Sequence, residues 1–334
     1  MISNLQTIPA NNQFIVVQSI WHSEIYMNIY SQTGKIWKCT LIRSLNFLNA
    51  SDVAYRERNR FLEAETSYNH DELAASVDTL HQLNADQKAV FDNLRKTYSP
   101  SHKQITDNSQ WEMFLDGPGG TGKSFLLEKI LAYVRQKGSV ALALAGSEIA
   151  AQLLTGGKTA HSAFNLSLDH HETSTCNIGS RSFDAALLKR TNVIVWDEAP
   201  MTHQFQYEAL DLTLQDLMKN NMPFGGITML LCGDFRQTLP VIQRAGPAEV
   251  ISSTIKRSDL WRYFEWLRLS INMRVQTSRN PQTAAEVGAS FADYLLQVGD
   301  GRHFISPTLG PDFIKVPEDM LLDICSLPQS NIEE

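Results

Sequence analysis

Short runs of apolar residues alternate with amphipathic stretches through the central part of the chain. Mostly apolar runs at 111–115, 140–145, 193–196 and 227–232 predict strands that are covered on both faces, as in a parallel sheet. Between them, apolar residues recur at helical spacing, most clearly at 124–134 and 207–218. Strands that alternate with helices predict an α/β fold with a doubly wound parallel sheet, which binds ligands at the carboxyl ends of its strands.

The first 80 residues carry weaker patterns. Residues 14–17 are a candidate strand, and the charged stretch 52–65 predicts a solvent-exposed face. We expect a small, mostly helical N-terminal region over 1–80. At Asn84 the pattern becomes clear, because this residue is the expected N-cap of a helix that carries Gln87 in its first turn. Residues 98–110 predict a polar loop.

The segment 117–124, Gly-Pro-Gly-Gly-Thr-Gly-Lys-Ser, lies between a predicted strand and a predicted helix. It fits G-x-x-x-x-G-K-S/T, the phosphate-binding loop, in which backbone N–H groups and a helix N-terminus face an anion. A chance glycine-rich turn is the alternative, but it does not require the strand and the helix. We therefore expect ATP and Mg²⁺ to bind here, at Gly117, Pro118, Gly119, Gly120, Thr121, Gly122, Lys123 and Ser124.

Two later strands end in polar residues. Asp197 and Glu198 follow the run 193–196. In phosphate-loop enzymes an Asp at this place supports Mg²⁺, and the adjacent acid orients or deprotonates the attacking water. A solvated Asp-Glu pair is a common alternative, but the upstream phosphate loop favours the functional interpretation. The run 227–232 ends in Gly-Asp-Phe-Arg-Gln, which places Gln237 at the same edge of the predicted sheet.

Composition narrows the class of protein. The net charge is −7 and the pI is about 5.7, which argues against bulk electrostatic binding of nucleic acid but leaves room for a local basic groove. Four scattered cysteines indicate a reducing compartment. The sequence shows no apolar run of membrane-spanning length and no signal peptide, so we expect a soluble intracellular protein.

Together these motifs resemble the PIF (petite integration frequency) DNA helicases of superfamily one, in particular the form that Helitron-type transposons carry. The resemblance is carried by 117–124, 196–201 and 233–241, with further matches at 159–164, 269–274 and 291–301. It implies a RecA-like P-loop ATPase domain over 81–275. The segment 276–334 would then be helical and begin a truncated second lobe, because only 334 − 274 = 60 residues follow Arg274 and such a lobe needs on the order of 100.

The resemblance also assigns roles in the ATP site. Gln87 would recognise the adenine edge, with an ordinary surface glutamine as the alternative. Ser124 and Asp197 would hold Mg²⁺, and Glu198 would be the catalytic base. Lys123 would hold the phosphates of the nucleotide.

Two further roles follow from the resemblance. Gln237 would sense the γ-phosphate and link hydrolysis to motion of the DNA site. Arg274 would act as an arginine finger that neutralises charge on the transferring phosphoryl group, with an ordinary surface arginine as the alternative.

For DNA, the resemblance points to the stretch 158–164. Contacts with phosphates, bases or sugars are expected at Lys158, Thr159, His161, Ser162 and Phe164. A core position is the alternative for Phe164, and a hydrogen-bonded structural role is the alternative for His161. Glu148 departs from the smaller residue that the family carries, and a carboxylate near a phosphate track would weaken DNA binding.

The implied function is an ATP-dependent DNA helicase that moves 5′ to 3′ in DNA repair, recombination and telomere or genome maintenance. The implied partners are single-stranded DNA, tailed duplex DNA and other replication or repair proteins, with no membrane, and the implied location is the nucleus. Two alternatives stay open. One is a truncated, transposon-derived fragment that binds ATP and DNA without unwinding. The other is an unrelated P-loop kinase, against which the Gln237 and Arg274 motifs count.

Overall fold

The computed structural model describes residues 7–10, 13–17, 27–30, 36–39, 63–65, 67–98, 112–166, 171–276, 284–303 and 313–321. The chain forms two compact units, Met1–Arg56 and Glu57–Glu334. The boundaries predicted at 80/81 and 275/276 stay predictions. Residues 99–110 of the predicted polar loop, Trp111 of the first predicted strand and most of the charged stretch 52–65 lie outside the described residues.

The first unit contains an antiparallel sheet with the strand order β1-β2-β3-β4. Its strands are β1 (Thr7–Ala10), β2 (Gln13–Val17), β3 (Met27–Tyr30) and β4 (Ile36–Cys39). The predicted strand at 14–17 is confirmed within β2. The expectation of a mostly helical region is wrong here, because these segments are rich in β-branched and aromatic residues, which favour a pleated sheet. Among the described residues, helix occurs in the second unit, at 63–65 and at α1 (His70–Asp78).

A six-stranded parallel sheet forms the centre of the second unit, with the order β10-β5-β9-β8-β6-β7. The predicted strands are confirmed to within two residues at each described end. β7 has two residues, and edge strand β10 alternates buried with more exposed positions, so neither carries a continuous apolar run. The strands are β5 (Glu112–Asp116), β6 (Val140–Ala145), β7 (Lys158–Thr159), β8 (Thr191–Asp197), β9 (Thr228–Gly233) and β10 (Phe264–Arg268).

Helices cover both faces of this sheet. They are α2 (Ala85–Thr97), α3 (Lys123–Gln136), α4 (Glu148–Gln152), α5 (Ala160–Phe164), α6 (Phe183–Arg190), α7 (Gln204–Met218), α8 (Pro247–Ser252), α9 (Met273–Gln276) and α10 (Ala284–Gly299). Short 3-10 turns occur at Thr79–Gln82, Ala199–Met201, Pro223–Gly226, Ile255–Arg257, Asp259–Tyr263 and Glu318–Met320. None of the helices described here has both the length and the apolar character that a bilayer crossing requires.

The apolar strands divide their side chains between two cores. Ile194 and Trp196 pack into the core on the α7 side, whereas Val193 and Val195 pack into the core on the α3 side. Successive residues of a strand point to opposite faces, so a strand buried on both faces must be apolar throughout. Complete burial of each such side chain stabilises the fold by about 1.5–3 kcal/mol.

The parallel direction of the strands brings their carboxyl ends to one edge. Asp116 at the end of β5 pairs in register with Gly233 at the end of β9, and Ala145 at the end of β6 pairs with Asp197 at the end of β8. This edge therefore carries the phosphate loop, the acidic pair and the segment that leads to Gln237.

Candidate nucleotide-binding site

The phosphate loop turns the chain from β5 into α3. Its helix begins at Lys123 directly after Gly122, which has a left-handed backbone with φ +78°. The Lys123 ammonium donates a hydrogen bond to the Gly117 carbonyl over 2.7 Å, and Pro118 O lies 3.5 Å away. The charge that is expected to bind phosphate thus already faces the inside of the loop. We expect phosphate oxygens to replace these carbonyls as its partners.

Gln87 supports the loop from α2. Asn84 caps this helix, and its side chain accepts from the Gln87 N–H while the Gln87 side-chain oxygen accepts from the Asn84 N–H. The Gln87 side-chain nitrogen donates to the Thr121 carbonyl over 3.0 Å. Only 2% of Gln87 is exposed, so the surface alternative is wrong. One N–H and one lone pair of its amide remain for a ligand, and the adenine role stays a prediction.

Asp197 and Glu198 form the acidic end of β8. Asp197 is 3% exposed, and its Oδ1 accepts from the Glu198 N–H over 2.9 Å. Burial raises the pKa of Asp197, against the opposing effects of that N–H and of Lys123. Burial and the charge of Asp197 both raise the pKa of Glu198, while Lys123 lowers it. A carboxyl pKa shifted towards neutrality suits a general base.

Glu198 also has an unusual backbone. Its φ of 51° lies in the left-handed region, which non-glycine residues adopt at a cost of about 1–3 kcal/mol and mostly at functional sites. Its carbonyl accepts from the Met201 N–H over 3.2 Å, at the start of the following turn. The backbone therefore fixes where the predicted base points.

The residues present fit Mg²⁺. This ion takes oxygen ligands, commonly one or two from protein and the others from phosphates and water. Ser124, which directly follows Lys123, offers a hydroxyl. Asp197 offers a buried carboxylate, which lies close enough to Lys123 for the ammonium to lower its pKa. Bound there, Mg²⁺ would neutralise phosphate charge.

Gln237 and Arg274 both lie against the glycines of the loop. The side-chain nitrogen of Gln237 is 3.5 Å from the place where a Cβ on Gly119 would stand. The Cγ and Cδ atoms of Arg274 are each 3.2 Å from the corresponding place on Gly120. The Met273 N–H donates to the Gly120 carbonyl over 2.9 Å and holds this segment on the loop. Arg274 is therefore part of the site, and its finger role and the sensing role of Gln237 stay predictions.

Sequence analysis missed the charged residues around Gln237. Asp234, which is 3% exposed, accepts from Gln237 Nε2 over 3.1 Å through Oδ2 and from Arg236 Nε over 2.7 Å through Oδ1. Arg236 also pairs with Asp116, the last residue before the phosphate loop. The sequence did contain a signal for these contacts, namely charged residues at the ends of predicted buried strands. A charged residue that is itself buried needs a partner.

A cavity of about 670 Å³ opens beside the loop. Its lining includes Pro118, Gln237 and Arg274, together with Phe291 and Leu295 of α10. Its volume falls within the range of small-molecule sites. The helix α10, which carries most of the matched stretch 291–301, thus belongs to the surroundings of the nucleotide site.

The residues predicted to bind DNA lie elsewhere, on β7 and α5. Phe164 is fully buried, with its ring 6.0 Å from that of Trp196, so the prediction of a DNA contact is wrong and the core alternative is right. Its ring belongs to the same apolar core as Trp196 of β8.

The other candidates in this stretch differ in exposure and partners. The Nε2 of His161 lies 2.9 Å from Nε2 of Gln206 on α7, as expected for a hydrogen-bonded structural group. The Thr159 hydroxyl caps α5 by accepting from the Ser162 N–H, and Ser162 itself is exposed. Burial lowers the pKa of the half-buried Lys158, against the attraction of nearby carboxylates. DNA contacts at these four residues stay predictions.

A phosphate loop between β5 and α3, an acidic pair on β8 and a glutamine after the intervening strand β9 meet at one edge of a parallel sheet. This fold and site define a P-loop NTPase with a RecA-like domain. The sequence profile of the PIF1-like helicase family matches residues 82–306, and the chain belongs to that family.

Several curated relatives share part of this sequence. The chain is 35% identical over 133 residues to ATP-dependent DNA helicase PIF4 of Trypanosoma brucei brucei, covering 38% of this chain and 16% of the relative. It is 27% identical over 220 residues to human ATP-dependent DNA helicase PIF1, covering 60% of this chain and 31% of the relative. The chain therefore spans less than a third of the length of these two relatives. Neither name favours the non-motor or kinase alternative.

Solved structures share the fold. The crystal structure of Pif1 helicase from Candida albicans has a TM-score of 0.51 at 24% identity, over 72% of this chain and 50% of that chain. Pif1 helicase from Bacteroides in complex with ADP-AlF3 and ssDNA has a TM-score of 0.52 at 17% identity, over 68% of this chain and 48% of that chain. These similarities confirm the RecA-like fold.

Proposed function

We propose that this chain is the ATP-hydrolysing motor part of a PIF-type DNA helicase that moves 5′ to 3′ along single-stranded DNA. One observation carries the proposal: Gln237 and Arg274, which come from different segments, both lie against the phosphate loop. A binding loop alone serves many NTPases, whereas two further groups at the phosphates suit an enzyme that couples hydrolysis to movement.

The chemistry that we propose uses the chain's own groups. Lys123 and the loop N–H groups hold the phosphates, and Glu198 accepts a proton from the attacking water. Gln237 and Arg274 donate hydrogen bonds to the phosphoryl group, whose charge shifts during transfer. Ser124 and Asp197 would hold Mg²⁺.

We extend the proposal to DNA because of the relatives. Curated relatives are named ATP-dependent DNA helicases, and one Bacteroides relative is described bound to ssDNA. Single-stranded and tailed duplex DNA are the substrates that we propose, with roles in repair, recombination and genome maintenance, a nuclear location and other replication or repair proteins as partners. The domain limits 81–275 and 276–334 belong to the same proposal.

The experiment uses the purified 334-residue chain. Phosphate release from ATP is measured with and without single-stranded DNA, beside strand displacement on a 5′-tailed and a 3′-tailed duplex. We expect DNA-stimulated hydrolysis and a preference for the 5′ tail. Lys123→Ala should abolish nucleotide binding, whereas Lys137→Ala, at an exposed lysine just beyond the same helix, should not. Phosphate transfer to a small molecule without DNA stimulation would overturn the proposal.

A further inference from the structure

The guanidinium group of Arg236 contacts carboxylates from three separate segments. Its Nε lies 2.7 Å from Oδ1 of Asp234, its Nη2 lies 3.3 Å from Oδ1 of Asp116, and its Nη1 lies 3.4 Å from Oδ1 of Asp300. Asp116 ends β5, Asp234 follows β9, and Asp300 directly follows α10. One side chain therefore ties the strand before the phosphate loop, the strand before Gln237 and the end of α10 together.

Burial makes these contacts stronger than surface ion pairs. The Arg236 side chain is 16% exposed, and those of Asp116 and Asp234 are 10% and 4% exposed. Hydrogen bonds between charged groups strengthen as water is excluded. Asp300 is more accessible, at 27%, and it also pairs with Arg302 over 2.6 Å. The Asp300 contact is thus the longest and most exposed of the three, and it is the one most easily changed.

Helix α10 also packs directly on the stem of Arg236. A Cβ placed on Gly299, the last residue of the helix, would stand 3.3 Å from the Cβ of Arg236. The same helix lines the cavity beside the phosphate loop through Phe291 and Leu295. A shift of the Arg236 side chain would therefore act on the end of this helix.

Asp234 connects this arrangement to Gln237. Its Oδ1 binds Arg236, and its Oδ2 accepts from the Gln237 side chain over 3.1 Å. If Gln237 turns its amide to a bound phosphate, Oδ2 loses that donor. The buried Asp234 carboxylate is then stabilised mainly by Arg236. The stronger attraction between the two draws the guanidinium group away from its weaker contact with Asp300.

We propose that Arg236 is a positioning residue that couples Gln237 to helix α10, so that nucleotide binding loosens the Arg236–Asp300 contact and frees the carboxyl end of the helix. The inference rests on the proposed function, because it needs Gln237 to engage the nucleotide. It adds to that function a helix whose end moves, α10, and the residue that transmits the movement, Arg236.

Hydrogen–deuterium exchange of the peptide 296–303 tests the coupling. The backbone N–H of Asp300 donates to Leu296 O over 2.8 Å, and that of Arg302 donates to Gln297 O over 2.8 Å, so these amides report opening of the helix end. In the parent, Mg²⁺ with a non-hydrolysable ATP analogue should speed their exchange by about tenfold, the effect of losing one charge-assisted contact.

Three single substitutions, one double variant and one control substitution test the coupling. Asp300→Asn should already exchange fast without nucleotide and show no further response. It should also bind the analogue up to about tenfold more tightly than the parent, because binding no longer has to break this contact. Asp300→Glu should restore the response. Arg236→Met should remove the response as well, and adding Asp300→Asn to it should change nothing further. Arg257→Met, at an exposed arginine on a neighbouring turn, is the matched control and should respond like the parent.

The outcomes separate the two proposals. If the parent does not bind the analogue, the proposed function falls, and the coupling falls with it. If the parent binds it but peptide 296–303 does not respond, or if Asp300→Asn responds as the parent does, only the coupling is overturned. Arg236→Met leaves two buried carboxylates without their shared partner, so circular dichroism must first show that it is folded. If the Arg236→Met chain is not folded, the response of the Asp300→Asn variant decides the test.

Discussion

The side-chain nitrogen of Gln87 donates a hydrogen bond to the backbone carbonyl of Thr121 over 3.0 Å. The residue that is expected to recognise adenine therefore also holds the loop that is expected to bind phosphate. Its oxygen is tied to the N–H of Asn84, so the amide is fixed from both ends. Base recognition and phosphate binding would then depend on one side chain.

Gln87→Ala should weaken the binding of both ATP and GTP, and that of ATP more strongly, because support of the phosphate loop serves both nucleotides whereas adenine recognition serves ATP alone. The change removes a buried hydrogen bond to the loop and half of the capping box of α2, and should lower the free energy of unfolding by about 1–3 kcal/mol. Isothermal titration with both nucleotides and chemical denaturation measure the two effects. Gln82→Ala, at an exposed glutamine just before the same helix, is the control and should alter neither. A loss confined to ATP would mean that the residue serves the base alone.

Glu198→Gln should bind ATP like the parent and hydrolyse it about 10²–10⁴-fold more slowly. The amide keeps the shape of the side chain but cannot accept a proton from water. Steady-state phosphate release and nucleotide titration on the same preparation check this. Hydrolysis at the parental rate would show that another group is the base.

The same substitution should change how stability depends on pH. The pKa of Glu198 is raised above 4.5 by burial and by Asp197, so the folded chain holds this proton more tightly than the unfolded chain. Ionised Glu198 therefore destabilises the fold at pH values above its raised pKa, and this penalty disappears as the pH falls to 4.5 and below. Glutamine carries no such penalty.

Glu198→Gln should thus be more stable than the parent at pH 7.5, and the difference should shrink on acidification. Denaturation curves at several pH values between 4 and 8 measure it. In the parent, the hydrolysis rate should fall over the same range in which the stability difference shrinks, because both follow protonation of one carboxyl group. A stability difference that grows on acidification would contradict the assigned cause.

The sequence was sufficient to predict the centre of the fold. Strand β6 lies at the predicted residues 140–145 because an all-apolar run of that length suits a strand buried on both faces. The N-cap at Asn84 was predictable from local chemistry alone. The antiparallel strands of the first unit are only four or five residues long, and their pattern was too short to exclude helix.

The site was predictable only in part. Motifs identified the residues of the loop and the acidic pair, since each motif lies within a few consecutive residues. The contact of Arg236 with Asp300 joins residues that are 64 positions apart. Such a contact depends on how α10 returns to the sheet edge, which no local pattern specifies.

Arg274→Ala should reduce the rate of ATP hydrolysis by about 10³-fold or more while leaving nucleotide affinity nearly unchanged. A finger acts mainly on the charge that develops during phosphoryl transfer, so the loss should appear in kcat. Arg262→Ala, at an exposed arginine on the 3-10 turn before β10, is the control. Equal losses in affinity and rate would indicate that Arg274 binds the ground state instead.

Phe164 and Ser162 lie two residues apart on α5, but their substitutions should affect different properties. Phe164→Ala should reduce stability, whereas Ser162→Ala should reduce DNA affinity. Phe164 is fully buried against Trp196, so Phe164→Ala should lower the free energy of unfolding by about 3–5 kcal/mol. Ser162 is exposed, and Ser162→Ala should change stability by less than about 0.5 kcal/mol.

If this helix faces the DNA track, Ser162→Ala should weaken binding of single-stranded DNA by about fivefold, the effect of one neutral hydrogen bond. Phe164→Ala should leave that affinity unchanged at a temperature where circular dichroism shows it folded. Denaturation and fluorescence anisotropy with a labelled oligonucleotide measure both quantities for each variant. Loss of DNA binding by a folded Phe164→Ala chain would show that the Phe164 ring contacts DNA, because a side chain that only packs in the core of a folded chain does not touch the oligonucleotide.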